Sequence, residues 1–215
     1  MNSSLLQIQT EINSVELIIV NDGSHEQTLF DELKNLNSKI PFTPLAYTEN
    51  KGKGFALRYG VNKAKGEFII YTDVDFPYTH GSFLKIYSVL KSESVDVAIG
   101  VRGEEYYTHL SKTRVRISKL LRWFIKKNLR TPTDDTQCGL KGFNQRGKEV
   151  FLKTATNRYL FDLEFIFLAA KNKLNIKTVE VELRADVQLS TISSKILLQE
   201  LGNFLKIFVK SIIHN

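Results

Sequence analysis

Residues 67–75 read Glu-Phe-Ile-Ile-Tyr-Thr-Asp-Val-Asp, an apolar run that ends in two acids separated by one residue. A short apolar run closed by polar residues is typical of a buried β-strand. Similar runs stand at 15–20 (VELIIV) and 95–101 (VDVAIGV), and sequence with helical periodicity lies between them. Strands that alternate with helices predict an α/β fold with a mostly parallel central sheet.

The rest of the chain extends this pattern in both directions. Before residue 101 the sequence predicts a further strand at 42–48 and helices at 25–38, 55–65 and 81–92. Beyond residue 101 the sequence predicts helices at 111–129, 145–154, 160–173 and 194–213. It also predicts an irregular polar segment at 134–143 and an edge or antiparallel strand at 176–184. No repeat, low-complexity tract or linker divides the chain, so residues 1–215 are predicted to form one domain.

The composition is that of an ordinary globular protein. The chain has 215 residues, of which 42% are hydrophobic and 25% are charged. Its single cysteine, Cys138, excludes an internal disulfide and a cysteine-based metal site, and it suits a reducing compartment. Residues 1–14 lack the apolar core of a signal peptide, and no stretch reaches the roughly 18 apolar residues of a membrane span. The sequence therefore predicts a cytoplasmic protein.

The charge balance predicts anionic partners. The net charge is +7 and the pI is about 9.3, which suits nucleic acid, nucleotide phosphates or anionic lipid. Much of the excess lies at 112–130, where basic residues occur without an acid. A solvated helix face is the alternative interpretation of this stretch. No nucleic-acid-binding motif accompanies it, so nucleic acid is not an expected partner.

Polar side chains follow the predicted strands at their carboxyl ends. They belong to Asp22, Asp73, Asp75 and Arg102. In open α/β sheets, ligands bind beyond the carboxyl ends of the strands. We therefore expect these side chains to contribute to one site.

The acids at 73 and 75 form a candidate metal site. Asp73 and Asp75 lie on the same side of an extended segment, because Val74 points away. Two such carboxylates bind Mg²⁺ or Mn²⁺ and leave positions for phosphate oxygens and water. The cation would neutralise the charge that grows on a diphosphate leaving group. Asp-x-Asp also occurs in solvated turns, but its place after a buried strand favours the metal site.

Two further segments carry candidate binding and catalytic groups. The segment 50–54 (NKGKG) opens a predicted helix, where glycine N–H groups and the helix N-terminus favour an anion. It lacks the spacing of a P-loop, and a flexible turn is the alternative. The segment 134–139 (DDTQCG) gathers acid, hydroxyl, amide and thiol groups, and an Asp there is a candidate general base. Cys138 is interpreted as a packing residue.

Together these motifs resemble one family, whose members carry similar motifs in the same order: VELIIVNDGS, NKGKGFALRYG, EFIIYTDVDFPY, VAIGVR, DTQCGLKGF and RYLFDLEFIFLA. Over about residues 15–185 the chain is similar to family 2 glycosyltransferases with the GT-A fold, especially to the dolichyl- and polyprenyl-phosphate glycosyltransferases of the dolichyl-phosphate β-glucosyltransferase type. The resemblance implies a GT-A-like, Rossmann-like, three-layer α/β/α fold. It also implies inverting transfer of a hexose from a nucleotide-diphosphate sugar, of the UDP-glucose or GDP-mannose type, to a polyprenyl or dolichyl phosphate.

The resemblance also implies roles for residues on the donor side. Asp22 would contact the nucleoside, and Gly52 and Lys53 would lie beside the nucleotide. Asp73 would serve the ribose and the metal, and Asp75 would be the principal ligand of Mg²⁺ or Mn²⁺.

On the acceptor side, Arg102 would lie near the donor and acceptor phosphates, and Asp135 and Gln137 would stand beside the reacting centre. A lipid phosphate is already ionised near neutral pH, so it needs positioning and charge compensation rather than a strong base. Arg102, Arg114 and Arg116 are the candidates for that compensation. A sugar hydroxyl would instead need Asp135 as its base.

The chain also departs from the family pattern. Asn21 and Val101 stand where an acid and a serine are common in the family. Asp162 and Glu164, by contrast, match a later motif of the family that is partly structural. The family normally opens with a strand and a Pro-x-x-Asn-Glu turn, whereas residues 1–14 resemble the tail of the helix that follows. The sheet is therefore expected to lack its usual first strand, through a misassigned start, truncation or divergence. An inactive nucleotide-binding remnant is accordingly an alternative function.

The amphipathic helices bear on the acceptor. The helix at 194–213 has a wide apolar stripe and a basic polar face, which suits the surface of a membrane. Together with the basic stretch at 112–130, it predicts a peripheral protein at the cytoplasmic face of a membrane. The alternatives are that these helices cover the sheet or a partner in a homo-oligomer, and that the sugar acceptor is a glycan or protein.

Overall fold

The structure is a computed structural model, and it describes residues 7–8, 10–12, 14–24, 42–92, 94–103, 133, 135–136, 138–158 and 160–187. The predicted helices at 25–38, 111–129 and 194–213 lie outside these residues. The described elements, in chain order, are β1 Leu17–Asp22, β2 Phe42–Tyr47, α1 Lys53–Lys63, β3 Ile69–Tyr71, α2 His80–Lys91, β4 Val97–Arg102, β5 Lys141–Phe143, α3 Gln145–Phe151, α4 Phe161–Lys171 and β6 Ile176–Val181.

The predicted strands and helices that fall on described residues are all present, with ends that shift by a few residues. The irregular segment predicted at 134–143 is wrong at its end, where β5 forms. Lys-Gly-Phe is too short to show alternation, and glycine disfavours strands. It forms a strand because β3 and β4 pair with it on its two sides, a tertiary contact that the local sequence does not encode.

The described strands form two sheets rather than one continuous sheet. β1 and β2 are a parallel pair, and the other four strands stand in the order β3-β5-β4-β6. β5 is antiparallel to both β3 and β4, whereas β6 is parallel to β4. Thus β3, β4 and β6 share one direction and β5 opposes them. β6 lies at the edge of its sheet, as predicted for 176–184.

Helices cover both faces of the four-stranded sheet. α2 packs on one face, where Ile86 and Leu90 join Ala98 of β4 in an apolar cluster. On the other face, α1, α3 and α4 enclose an aromatic cluster in which the ring centroids of Phe143 and Phe151 are 5.1 Å apart. Successive residues of β4 alternate between the two clusters, as the period of a strand requires. The predicted three-layer α/β/α arrangement is confirmed.

Candidate active site

Asp22 ends β1 and anchors the loop at 50–54. Its Oδ1 accepts hydrogen bonds from the N–H groups of Lys51 (2.7 Å) and Gly52 (3.2 Å), and its Oδ2 accepts from Gly52 at 2.9 Å. The hydroxyl of Tyr47, at the end of β2, donates to Oδ1 at 2.8 Å. Burial and this bond to a carboxylate raise the pKa of Tyr47. Asp22 therefore fixes the loop in place, and its predicted contact with a nucleoside stays a prediction.

The same loop is fixed on its other side by the segment 154–158. Gly52 has a φ of +96°, and a Cβ there would lie 2.5 Å from the carbonyl oxygen of Asn157. Glycine is the residue that tolerates both this backbone conformation and this close approach. The N–H of Gly54 donates to the same carbonyl oxygen at 2.7 Å. The loop therefore has fixed contacts on two sides, which is unlike the flexible turn considered from the sequence.

These contacts change what the loop offers to an anion. The N–H groups of Lys51, Gly52 and Gly54 donate to oxygens of the protein. The sequence suggested that glycine N–H groups here would hold an anion, and the structure gives those groups other partners. The positive group that this loop directs toward the end of β3 is the side chain of Lys53, the first residue of α1.

Lys53 pairs with the acid that follows β3. Its Nζ contacts Oδ1 of Asp73, in an ion pair whose side chains are 34% and 43% exposed. Burial alone would lower the pKa of Lys53, but the carboxylates of Asp73, Asp162 and Asp75 outweigh burial, and the pKa is raised. Lys53, Asp73 and Asp75 therefore form one charged group at the carboxyl end of β3.

The second oxygen of Asp73 faces the segment that precedes β5. A Cβ on Gly139 would lie 2.5 Å from Oδ2 of Asp73, so the backbone of Gly139 packs against this oxygen. The N–H of Gly139 donates to the hydroxyl of Tyr78 at 2.9 Å, and Sγ of Cys138 donates to the same oxygen at 3.3 Å. Cys138 is buried, and burial raises the pKa of its thiol. These features agree with the packing role predicted for Cys138.

Arg102, the last residue of β4, forms a second ion pair with Asp135. Its Nε and backbone N–H donate to Oδ2 at 3.0 and 2.9 Å, and its Nη2 donates to Oδ1 at 2.5 Å. Burial would raise the pKa of Asp135, but the hydrogen bonds and charge of Arg102 outweigh burial and lower it. A carboxylate with a lowered pKa is a weak base, so this geometry argues against Asp135 as the general base considered for a hydroxyl acceptor.

A buried network of Lys141, Asp162 and Tyr71 lies beside these pairs, and the sequence does not predict it. Lys141, the first residue of β5, is fully buried, and its Nζ lies 2.9 Å from Oδ1 of Asp162 and bonds to the carbonyl oxygen of Cys138. The hydroxyl of Tyr71, at the end of β3, donates to the same oxygen of Asp162 at 2.5 Å. No sequence signal pointed to Lys141, because a lysine in a polar segment is normally exposed.

The predicted site residues therefore fall into two connected groups. Hydrogen bonds link Asp22 through the loop at 50–54 to Lys53, which pairs with Asp73. Arg102 and Asp135 form the second group. Asp135 lies shortly before Gly139 in the sequence, and Gly139 packs against Asp73. Arg114, Arg116 and Gln137 lie outside the described residues, so their predicted roles are not tested.

The acids at 73 and 75 have the chemistry that a divalent cation needs. Carboxylate oxygens are the ligands that suit Mg²⁺ and Mn²⁺, and Asp73 already holds one cationic group, the ammonium of Lys53. Across the described ranges, no cluster of three or more His, Cys, Asp or Glu side chains forms a metal site. A cation at Asp73 and Asp75 would take further oxygens from a ligand and water, as Mg²⁺ usually does.

The helices predicted to contact a membrane, at 111–129 and 194–213, lie outside the described part of the chain. Among the helices that the structure does describe, none combines the length and the apolar character that a membrane crossing requires.

The chain belongs to glycosyl transferase family 2, since the sequence profile of "Glycosyl transferase family 2" matches residues 2–156. Its curated relatives include the dolichyl-phosphate beta-glucosyltransferases of Dictyostelium discoideum, 29% identical over 182 residues, and of Homo sapiens, 28% identical over 188 residues. These alignments cover 78% and 77% of this chain and 54% and 55% of the relatives. The chain thus spans about half the length of the curated relatives it matches. The family resemblance that the motifs indicate is confirmed.

Solved structures share the fold. Glucosyl-3-phosphoglycerate synthase from Mycobacterium tuberculosis, in complex with Mn²⁺, UDP and glucosyl-3-phosphoglycerate, matches with a TM-score of 0.64 at 15% identity, over 99% of this chain and 74% of that one. Mannosyl-3-phosphoglycerate synthase from Rubrobacter xylanophilus matches with a TM-score of 0.56 at 14% identity, over 96% and 76%. At this identity the likeness concerns the fold alone, and it confirms the GT-A-like α/β architecture.

Proposed function

We propose that this chain is a metal-dependent, inverting hexosyltransferase that uses a nucleotide-diphosphate sugar of the UDP-glucose or GDP-mannose type and a polyprenyl or dolichyl phosphate acceptor. Membership of family 2 and the names of the curated relatives support glycosyl transfer. The observation that carries the proposal is the acid pair Asp73 and Asp75 after β3, with the ammonium of Lys53 on Asp73.

On the donor side, Asp73 and Asp75 would hold Mg²⁺ or Mn²⁺. When bound, the cation supplies positive charge to the departing diphosphate. Asp22 contributes indirectly, because its carboxylate fixes the loop from which Lys53 projects. Lys53 adds a positive charge on the same side, so the cation and the ammonium group would both compensate the charge of the donor phosphates.

On the acceptor side, the Arg102–Asp135 pair favours a phosphate over a hydroxyl. A hydroxyl acceptor has to lose its proton to a base, and Asp135 has a lowered pKa because Arg102 binds both of its carboxylate oxygens. A lipid phosphate is already ionised near neutral pH and needs only positioning and compensation of its charge. Arg102 would contribute to that compensation, together with Arg114 and Arg116.

The acceptor implies a membrane. A polyprenyl chain partitions into lipid, so we place the reaction at the cytoplasmic face of a membrane, with the amphipathic segment 194–213 and the basic segment 112–130 in peripheral contact. Binding of the full chain to anionic vesicles, lost at high salt, would support this placement. Concentration-dependent dimers without vesicle binding would favour the homo-oligomer alternative.

The function is tested by incubating the full chain with labelled UDP-glucose or GDP-mannose, Mn²⁺ and detergent-dispersed polyprenyl phosphate. We expect a lipid-linked sugar that disappears on chelation and returns when Mn²⁺ is restored. Transfer to a soluble glycan or protein instead would favour the second enzymatic function. Binding of UDP or GDP with Mn²⁺, without turnover on any acceptor, would favour the inactive remnant.

A further inference from the structure

The Lys53–Asp73 pair stands where the proposed cation would bind. The Nζ of Lys53 contacts Oδ1 of Asp73. On the opposite side, the backbone of Gly139 packs so closely against Oδ2 that a Cβ would lie 2.5 Å from it. The carboxylate of Asp73 thus lies between the ammonium group of Lys53 and the backbone of Gly139. A cation that bonds to Oδ1 therefore competes with the ammonium of Lys53 for that oxygen, and displacement of Lys53 relieves the repulsion between the two positive groups.

The surroundings of Lys53 set the cost of that displacement. The carboxylates of Asp73, Asp162 and Asp75 stabilise the ammonium against burial. A divalent cation that arrives alone separates Lys53 from its closest partner and adds two positive charges beside it. A diphosphate that arrives with the cation supplies anionic oxygens, and charge-assisted hydrogen bonds to such oxygens are strong. The displaced ammonium then has a new partner.

We propose that Lys53 couples the binding of the divalent cation to the binding of the nucleotide diphosphate, because it occupies Asp73 until the diphosphate accepts its ammonium group. The coupling rests on the proposed function, since it takes Asp73 as a ligand of the cation. Coupling between two ligands is reciprocal, so the cation tightens the diphosphate by the same factor as the diphosphate tightens the cation. The metal therefore binds weakly by itself and tightly together with the donor.

The coupling is measured by titrating the full chain with Mn²⁺, alone and with saturating UDP or GDP. Electron paramagnetic resonance reports bound Mn²⁺, with the signal of protein-free Mn²⁺–nucleotide subtracted. The test variant is Lys53→Met and the matched control is Lys51→Met. Lys51 lies in the same loop and carries the same charge, but its ammonium lies over the rings of Phe55 and Tyr47, at 4.9 and 5.7 Å from their centroids.

We expect Lys53→Met to bind Mn²⁺ alone roughly fivefold more tightly than the wild type, the factor that matches a half-exposed ion pair. The nucleotide should then tighten Mn²⁺ binding by a smaller factor in this variant than in the wild type. Lys51→Met should match the wild type in binding Mn²⁺ alone. Lys53→Arg, which keeps the charge and so provides a second readout, should also bind Mn²⁺ alone as weakly as the wild type.

Two outcomes separate failure of the coupling from failure of the function. If the wild type binds Mn²⁺ with nucleotide, but Lys53→Met binds Mn²⁺ alone no more tightly, the coupling is overturned and the proposed function stands. If the wild type binds no Mn²⁺ even with UDP or GDP, the metal-dependent function fails and the coupling fails with it. Far-UV circular dichroism confirms that each variant is folded before it is titrated.

Discussion

The two ion pairs of the site, Lys53–Asp73 and Arg102–Asp135, have the same charges and very different settings. The first joins one ammonium group to one carboxylate oxygen, and its side chains are 34% and 43% exposed. The second joins a guanidinium to both carboxylate oxygens, and its side chains are 17% and 4% exposed. A half-exposed pair exchanges partners at little cost, whereas a buried bidentate pair does not. The Lys53–Asp73 pair, on the proposed donor side of the site, is therefore exchangeable, and the Arg102–Asp135 pair, on the proposed acceptor side, is fixed.

The largest effect is expected on the exchangeable side, from Asp75→Asn. The side chain of Asp75 is exposed, so the variant should fold like the wild type and bind the cation poorly. We expect kcat/KM for the lipid acceptor to fall by about 10³-fold, because a bound cation supplies several kcal/mol of charge stabilisation. Initial rates at saturating Mn²⁺ measure it.

The matched control for Asp75→Asn is Asp186→Asn, which removes an acid that pairs with Arg184 at the surface. The side chain of Asp186 is 72% exposed, and we expect kcat/KM to stay at the wild-type value. Equal losses in the two variants would show that general charge, and not the acid pair after β3, limits the rate.

The next effect concerns the fixed side. Arg102→Met leaves the carboxylate of Asp135 buried without its guanidinium, and such a loss costs about 3 kcal/mol or more of unfolding free energy. Lys53→Met breaks the half-exposed pair and should cost less than about 1 kcal/mol. Urea denaturation of both variants measures the difference. Equal costs in the two variants would remove the distinction between an exchangeable and a fixed pair.

The same distinction separates what the sequence could and could not predict. Asp73, Asp75 and Arg102 were found because each follows an apolar run, and a strand end is a local signal. The pairing of Arg102 with Asp135 and the burial of Lys141 depend on contacts between segments that are distant in the chain. β5 was missed for this reason too, since Lys-Gly-Phe is a strand only between β3 and β4. Local patterns thus predicted the secondary-structure elements and the polar side chains at the strand ends. The residue with which each charged side chain pairs could be found only from the structure.

Gly139 packs against Asp73 of the exchangeable pair, and Gly139→Ala should disturb that pair. Its new Cβ would meet Oδ2 of Asp73 at 2.5 Å, so the carboxylate has to move. We expect binding of Mn²⁺ with UDP to weaken by roughly tenfold, a factor that corresponds to about 1.4 kcal/mol of lost ligand geometry. Isothermal titration calorimetry measures this affinity.

The control for Gly139→Ala is Gly81→Ala in α2, where the nearest atom to a new Cβ is Oγ1 of Thr79 at 4.0 Å. This variant should bind Mn²⁺ with UDP like the wild type. If Gly139→Ala also bound Mn²⁺ with unchanged affinity, Asp73 could shift without weakening the binding of the cation. The backbone of Gly139 would then have no part in the coupling through Lys53.

The smallest effect is the response of the fixed pair to mild acid. Arg102 lowers the pKa of Asp135 below its ordinary value of 3.8 in spite of burial. A carboxyl whose folded pKa is lowered contributes stability above its unfolded pKa and loses that contribution as the pH falls through the folded pKa. The difference in unfolding free energy between the wild type and Asp135→Asn should therefore stay constant from about pH 7 to about pH 5 and shrink near pH 3. Urea denaturation at these pH values measures it, with Lys51→Met as a variant in which Asp135 is untouched. A difference that instead grows as the pH falls from 7 to 5 would mean that burial outweighs Arg102 and raises the folded pKa of Asp135. Asp135 would then return as a candidate base for a hydroxyl acceptor.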